Sequence, residues 1–151
     1  MRVALLTVAA AFFGCVSAPV RPAAPTSLSN VDPVHLSVLR YIIAGWSDDR
    51  PRYICVYDAD PPPPLLTALQ PWSPTPLLPC CAMPHVALPI GHRSPFVRIR
   101  IVATLSRTPT SAVIQAGFQC GWQCEGLADY HCVRDDDGRW HIARVTNDEQ
   151  A

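Results

Sequence analysis

The sequence predicts an α+β fold, with one N-terminal helix packed on a mainly antiparallel sheet. The sheet is expected to end in a C-terminal β-meander, after a long proline-rich loop. Three observations predict this. Apolar residues recur at helical spacing between Val34 and Trp46, they alternate with polar ones from Phe96 onward, and eleven prolines crowd Asp60 to Pro95.

Asp32-Pro33 joins a capping acid to a proline at the first helical position. Val34, Val38, Leu39, Ile42, Ile43 and Trp46 then form one apolar stripe, which Gly45 and Ser47-Asp48-Asp49 end. Arg52 to Asp58 has strand composition, carried by Tyr53, Ile54, Val56 and Tyr57. From Asp60 to Pro95 the prolines, including the run Pro61 to Pro64, bar long regular elements, because each removes a donor and fixes φ. Leu65 to Leu69 has room for a helical turn. The rest is expected to wrap the body through Leu66, Leu69, Trp72, Leu77, Leu78 and Leu88. Mobile cover of a site, or a proline-rich ligand for a partner, are the alternatives for a loop this long.

Val97, Ile99 and Ile101 alternate with Arg98 and Arg100, as in a strand with one buried face. Thr108-Pro109-Thr110 turns the chain, and Ser111 to Gln119 runs back. Ala128 to Arg134 is a third strand, Asp135-Asp136-Asp137-Gly138 a hairpin turn, and Arg139 to Val145 closes the meander.

Composition narrows the function. Charged residues are 16%, twelve basic against twelve acidic, and every base is arginine. A chain without lysine excludes P-loop phosphate binding, kinase chemistry, Schiff bases and Ser-x-x-Lys acyltransferases. The zero net charge excludes a nucleic-acid binder of the electrostatic kind. No cofactor is expected.

Arg2 followed by the apolar run Val3 to Phe13 reads as a signal-peptide core, too short for the ~20 residues of a membrane span. Phe12-Phe13-Gly14-Cys15 resembles the lipobox of bacterial lipoproteins, which implies lipidation of Cys15. Cleavage after Val16-Ser17-Ala18 and an uncleaved anchor are the other exits. Residues 1–14 are thus read as a lipoprotein-type signal peptide and 15–30 as a Pro/Ala/Ser tether. Residues 31–147 form a single α+β domain with a proline-rich insertion at 60–95. A lipid membrane, met through the N-terminal anchor, and an envelope protein are the expected partners. The expected place is the periplasmic side of a bacterial envelope.

Six cysteines remain after Cys15, and in an exported chain Cys55, Cys80, Cys81, Cys120, Cys124 and Cys132 read as three disulfides. The expected pairing is Cys120–Cys124, with Cys55 and Cys132 drawn to the loop cysteines. Cys120, Cys124, His131 and Cys132 have the chemistry of metal ligands. Neighbouring strand residues point to opposite faces, however, and an oxidising compartment favours disulfides, so no metal is expected. Trp122, between two cysteines, and Arg98 with Arg100, able to receive an anion, are the candidate binding residues. The chain is read more as a binding or structural module than as an enzyme. The catalytic alternative is a small hydrolase under the proline-rich loop, built from His85 or His92 with Asp58, Asp60 or Ser94; no G-x-S-x-G, H-E-x-x-H or phosphate loop accompanies it.

The segment Phe96 to Val145 resembles a group of exported bacterial proteins and lipoproteins without known activity. The residues that carry the likeness are Cys120-Gly121-Trp122-Gln123-Cys124-Glu125-Gly126, then Tyr130, then Asp137-Gly138-Arg139-Trp140. The resemblance implies an extracytoplasmic α+β domain. The Asp-Gly-x-Trp ending is also similar to that of the nuclear-transport-factor-2-like cone, which implies a ligand cavity between a concave sheet and the Val34 to Trp46 helix.

Overall fold

Asp32 accepts a hydrogen bond from the Val34 N–H and caps the first helix, α1 (Pro33–Ala44). The structure is a computed structural model that describes residues 31–85, 92–121 and 124–150, the last four without their side chains. The signal peptide, the tether, Cys15 and Trp122 lie outside the described residues. A twelve-residue helix is marginal alone in water, so α1 depends on its stripe. Val34, Val38, Leu39, Ile42 and Ile43 are all buried, against β-strand residues.

The strands are β1 (Arg52–Val56), β2 (Leu77–Pro79), β3 (Arg93–Arg107), β4 (Ser111–Gly121), β5 (Glu125–Arg134) and β6 (Trp140–Gln150). They form one sheet in the order β2-β1-β3-β4-β5-β6. β1 runs parallel to both its neighbours, and every other pair is antiparallel. Val97, Ile99 and Ile101 of β3, Ile114 and Ala116 of β4, and Ala128, Tyr130 and Cys132 of β5 meet α1 in one core. The small residues on β4 and β5 let the helix lie close.

The α+β expectation is therefore corrected. The fold is mainly β, a six-stranded mixed sheet with two short helices, and the helix at 33–44 is not a separate N-terminal layer. The proline-rich stretch supplies elements of its own. Pro63 and Pro64 begin α2 (Pro63–Leu69), where their missing N–H groups cost nothing, and Leu65 and Leu69 bury its inner face. Leu77–Pro79 then joins the sheet edge, where a proline is tolerated. The result is a strap, and it converts an antiparallel meander into a mixed sheet by carrying the chain from β1 back to a parallel β3.

Two glycines fix how the far half of the sheet closes. A Cβ at Gly117 would fall onto the Gly126 carbonyl of β5. The Phe118 ring covers Gly126, its cross-strand partner, and meets Trp46 edge-on with centroids 4.9 Å apart. α1 ends beside that ring, so the helix C-terminus, the start of β3 and the end of β4 come together at one end of the sheet. The helix–sheet interface where a cone fold would keep its cavity is filled by Val38, Leu39, Ile42, Ile43, Ile99 and Ile114. No helix among the described residues is long and apolar enough to cross a membrane.

Candidate functional site

A pocket of about 510 Å³ opens at that end of the sheet. Gly45, Trp46, Ser47, Asp48 and Arg50 line it from the loop after α1, His92 and Arg93 from the start of β3, and Cys120, Gly121 and Cys124 from the β4–β5 connection. Gly121 has φ of 127°, and a Cβ there would come within 2.9 Å of the Ser94 nitrogen. Only glycine admits the chain at this closeness. The Cys120–Cys124 disulfide then holds the turn shut, with the Cys120 N–H donating to the Cys124 carbonyl at 2.7 Å.

The pocket is polar and cation-rich. Arg50 donates from Nε and Nη2 to Asp48 Oδ2 at 2.8 and 2.5 Å and from Nη1 to the Ser94 carbonyl at 3.2 Å. Burial works against the Asp48 carboxylate, but the Arg50 hydrogen bonds and charge outweigh it and hold Asp48 below the usual carboxylate range. Arg93 is exposed and has no acidic partner among the described residues. His92 stands exposed beside it. One guanidinium in the pocket is thus balanced by an acid and one is not. This arrangement accepts an anion, and its size lies in the range of small-molecule sites.

Directly behind the pocket sits a residue with no signature in the sequence. Arg52 on β1 is fully buried. Its Nη1 donates to Ser73 Oγ at 3.1 Å and Thr75 Oγ1 at 2.6 Å, and its Nη2 to the Trp46 and Asp48 carbonyls at 3.2 and 2.8 Å. One side chain therefore ties the strap to the loop that forms the pocket wall.

The other expected residues are elsewhere. Arg98 and Arg100 are each paired with an acid: Arg98 Nη2 donates to Asp58 Oδ1 at 2.6 Å, and Arg100 Nη2 to Glu125 Oε1 at 2.7 Å. They alternate with the buried Val97, Ile99 and Ile101 and so lie on the sheet face turned away from α1. Asp58 follows the end of β1 whereas Ser94 stands at the start of β3, and parallel strands keep those ends apart. Ser94 is buried, and its Oγ accepts from the Phe96 N–H. Asp60 accepts from the Cys81 N–H, and His85 is exposed on no regular element.

The cysteines form two bridges, Cys55–Cys80 and Cys120–Cys124, where three were expected. Cys81 and Cys132 stand outside them. Cys132 points into the core from β5, three strands from β1, and strand spacing alone sets it roughly 14 Å from the strap cysteines. Burial pushes its thiol up to about 11. His131 instead meets Thr146 Oγ1 at 2.9 Å, and no group of three or more metal-ligating side chains converges among the described residues. Two disulfides make this a small disulfide-stabilised domain and fit an oxidising, extracytoplasmic setting.

A second polar cluster occupies the opposite end of the sheet. Asp32 receives both Nη1 and Nη2 of Arg107, and its Oδ2 lies 3.8 Å from His35 Nδ1. His35 Nε2 is 3.0 Å from the Tyr57 hydroxyl, which is 2.8 Å from Thr104 Oγ1. Burial lowers the His35 pKa against the pull of Asp32. For Asp32, burial acts upward, but Arg107, His35 and the Val34 N–H bring the net shift down. Both shifts act in the same sense. The folded chain binds protons less readily than the unfolded one, so stability is complete above pH 6.5 and falls as acid titrates first His35 and then, below 3.8, Asp32. The thermal midpoint should fall on acidification from neutral pH, and His35→Gln should flatten the first part of that fall. A midpoint independent of pH in wild type would contradict this.

The chain matches no known family model, no curated protein and no solved structure.

Proposed function

We propose that this protein is an exported binding module, lipid-anchored through Cys15 in a bacterial envelope, whose pocket takes a small anionic ligand. The observation that carries the reading is Arg93. It presents an unbalanced guanidinium to a pocket whose other arginine is already neutralised by Asp48. Arginine offers carboxylates and phosphates two parallel donors, and Trp46 supplies an aromatic wall for the rest of the ligand. Export is supported by the two disulfides and by the run Val3 to Phe13 ahead of Cys15. The Cys120 to Gly126 signature contributes Cys120, Gly121 and Cys124 to the pocket rim, which supports reading the signature as part of a site.

The test is thermal stabilisation of the domain by inorganic phosphate and by a series of small mono- and dicarboxylates. A ligand at a hundred times its Kd should stabilise by about 2.7 kcal/mol. Arg93→Gln should remove the shift while leaving the unliganded midpoint unchanged, because Arg93 is exposed and makes no salt bridge among the described residues. Equal stabilisation of wild type and variant, or none by any anion tried, would overturn the assignment.

A further inference from the structure

The two residues between Val56 and Ala59 are joined in a way their types do not favour. Val56 and Ala59 exchange N–H···O bonds at 3.0 and 3.1 Å, so Tyr57 and Asp58 form a tight two-residue turn. Both have positive φ, 54° and 57°. Turns of this shape favour Asn-Gly, and a bulky side chain in left-handed backbone costs roughly 1–2 kcal/mol. Strain of this kind gathers where a side chain must be held in a set place. Here the turn delivers the Tyr57 hydroxyl to His35 and Thr104. Asp32 lies on the Nδ1 side of His35, which favours a proton there and leaves the Nε2 lone pair to accept from the phenol. Thr104 Oγ1 lies 2.8 Å from the same oxygen, placed to donate to it once the phenol donates to His35. Arg107 in turn holds Asp32 through both terminal guanidinium nitrogens.

We propose that Tyr57 is a nucleophilic tyrosine, with His35 as its general base, that takes an acyl group from an activated aryl ester. The Tyr57 Oη forms a bond to the acyl carbon while its proton passes to His35 Nε2. The ester C–O bond breaks, and the departing phenoxide takes that proton from the imidazolium. The product, an acyl-tyrosine, is itself an aryl ester and so stays reactive enough to pass the acyl group to water or to a second acceptor. The site stands at the opposite end of the sheet from the anion pocket and does not depend on it. His35 is neutral at ordinary pH because burial lowers its pKa, which keeps the base ready.

Tyr41 provides an internal reference, since it is 54% exposed against 50% for Tyr57 and none of the histidine contacts among the described residues involves it. The domain is treated with p-nitrophenyl acetate near neutral pH, and acetylation of the two tyrosines is followed by peptide mass spectrometry. General base catalysis contributes at least about 100-fold, so Tyr57 should react about that much faster than Tyr41. His35→Gln should bring Tyr57 down to the Tyr41 rate without changing Tyr41. The wild-type ratio should also fall with acidification as His35 is protonated. The groups facing that imidazole are Asp32 at the helix cap, Tyr57 on the turn, and Thr104 and Arg107 on β3. Should the variant fail to fold, the wild-type ratio and its acid dependence decide the matter. A ratio near one, a ratio unaffected by acid, or a high ratio that survives His35→Gln would overturn the proposal.

Discussion

Arg52→Ala is expected to destabilise the domain by about 1.5–3 kcal/mol, the range for losing hydrogen bonds to a charged group. The four acceptors of its guanidinium are Ser73, Thr75 and the carbonyls of Trp46 and Asp48, all on half-buried residues, and each would lose its donor. Lysine would not restore them, because a single ammonium cannot span both the strap hydroxyls and the loop carbonyls. The loss should be visible in urea unfolding. Hydrogen exchange should show the strap around Ser73 to Leu77 opening first, since Arg52 ties Ser73 and Thr75 to β1 and only the short β2 ladder holds the segment beyond them. A change under 1 kcal/mol would mean that the strap is held by its leucines alone.

Removing the Cys55–Cys80 bridge, as Cys55→Ser with Cys80→Ser, should cost about 3.5 kcal/mol for a separation of 25 residues. The bridge closes a loop containing α2, so its loss frees the unfolded chain and loosens the folded strap together. Protection should fall over residues 60–82, while β4, β5 and β6, which carry no part of this bridge, should keep theirs. Uniform loss across the sheet would contradict a local role for the bridge. Removing Cys120–Cys124 should instead act on the pocket rim, with little entropic effect across so short a loop.

Much of the far half of the sheet could be read directly. Val97, Ile99 and Ile101 alternate because one face of β3 is buried and the other solvated. Thr108 to Thr110 and Asp135 to Gly138 turn the chain between antiparallel strands, the second with Gly138 at φ of 80°. The near half was opaque for physical reasons. β1 is buried on both faces, so Arg52 to Cys55 shows no alternation, and nothing in it distinguishes parallel from antiparallel pairing. The prolines argue against long elements but not against short ones. Pro63 at a helix start and Pro79 on an edge strand are both permitted positions. A buried arginine has no sequence signature, because its partners in the strap lie over twenty residues away. The Tyr57–Asp58 turn lacks the glycine that usually announces one. Of the pocket residues, Cys120, Cys124 and His92 carry candidate chemistry visible in the sequence, whereas Arg93 is set apart only by the lack of an acidic partner among the described residues.

Intact mass of the native mature protein tests the account most directly, since anchoring, export and bridging all leave their mark on one number. The account predicts a chain beginning at an acylated Cys15 and carrying two disulfides, Cys55–Cys80 and Cys120–Cys124. A chain still beginning at Met1, with every cysteine present as a thiol, would contradict it.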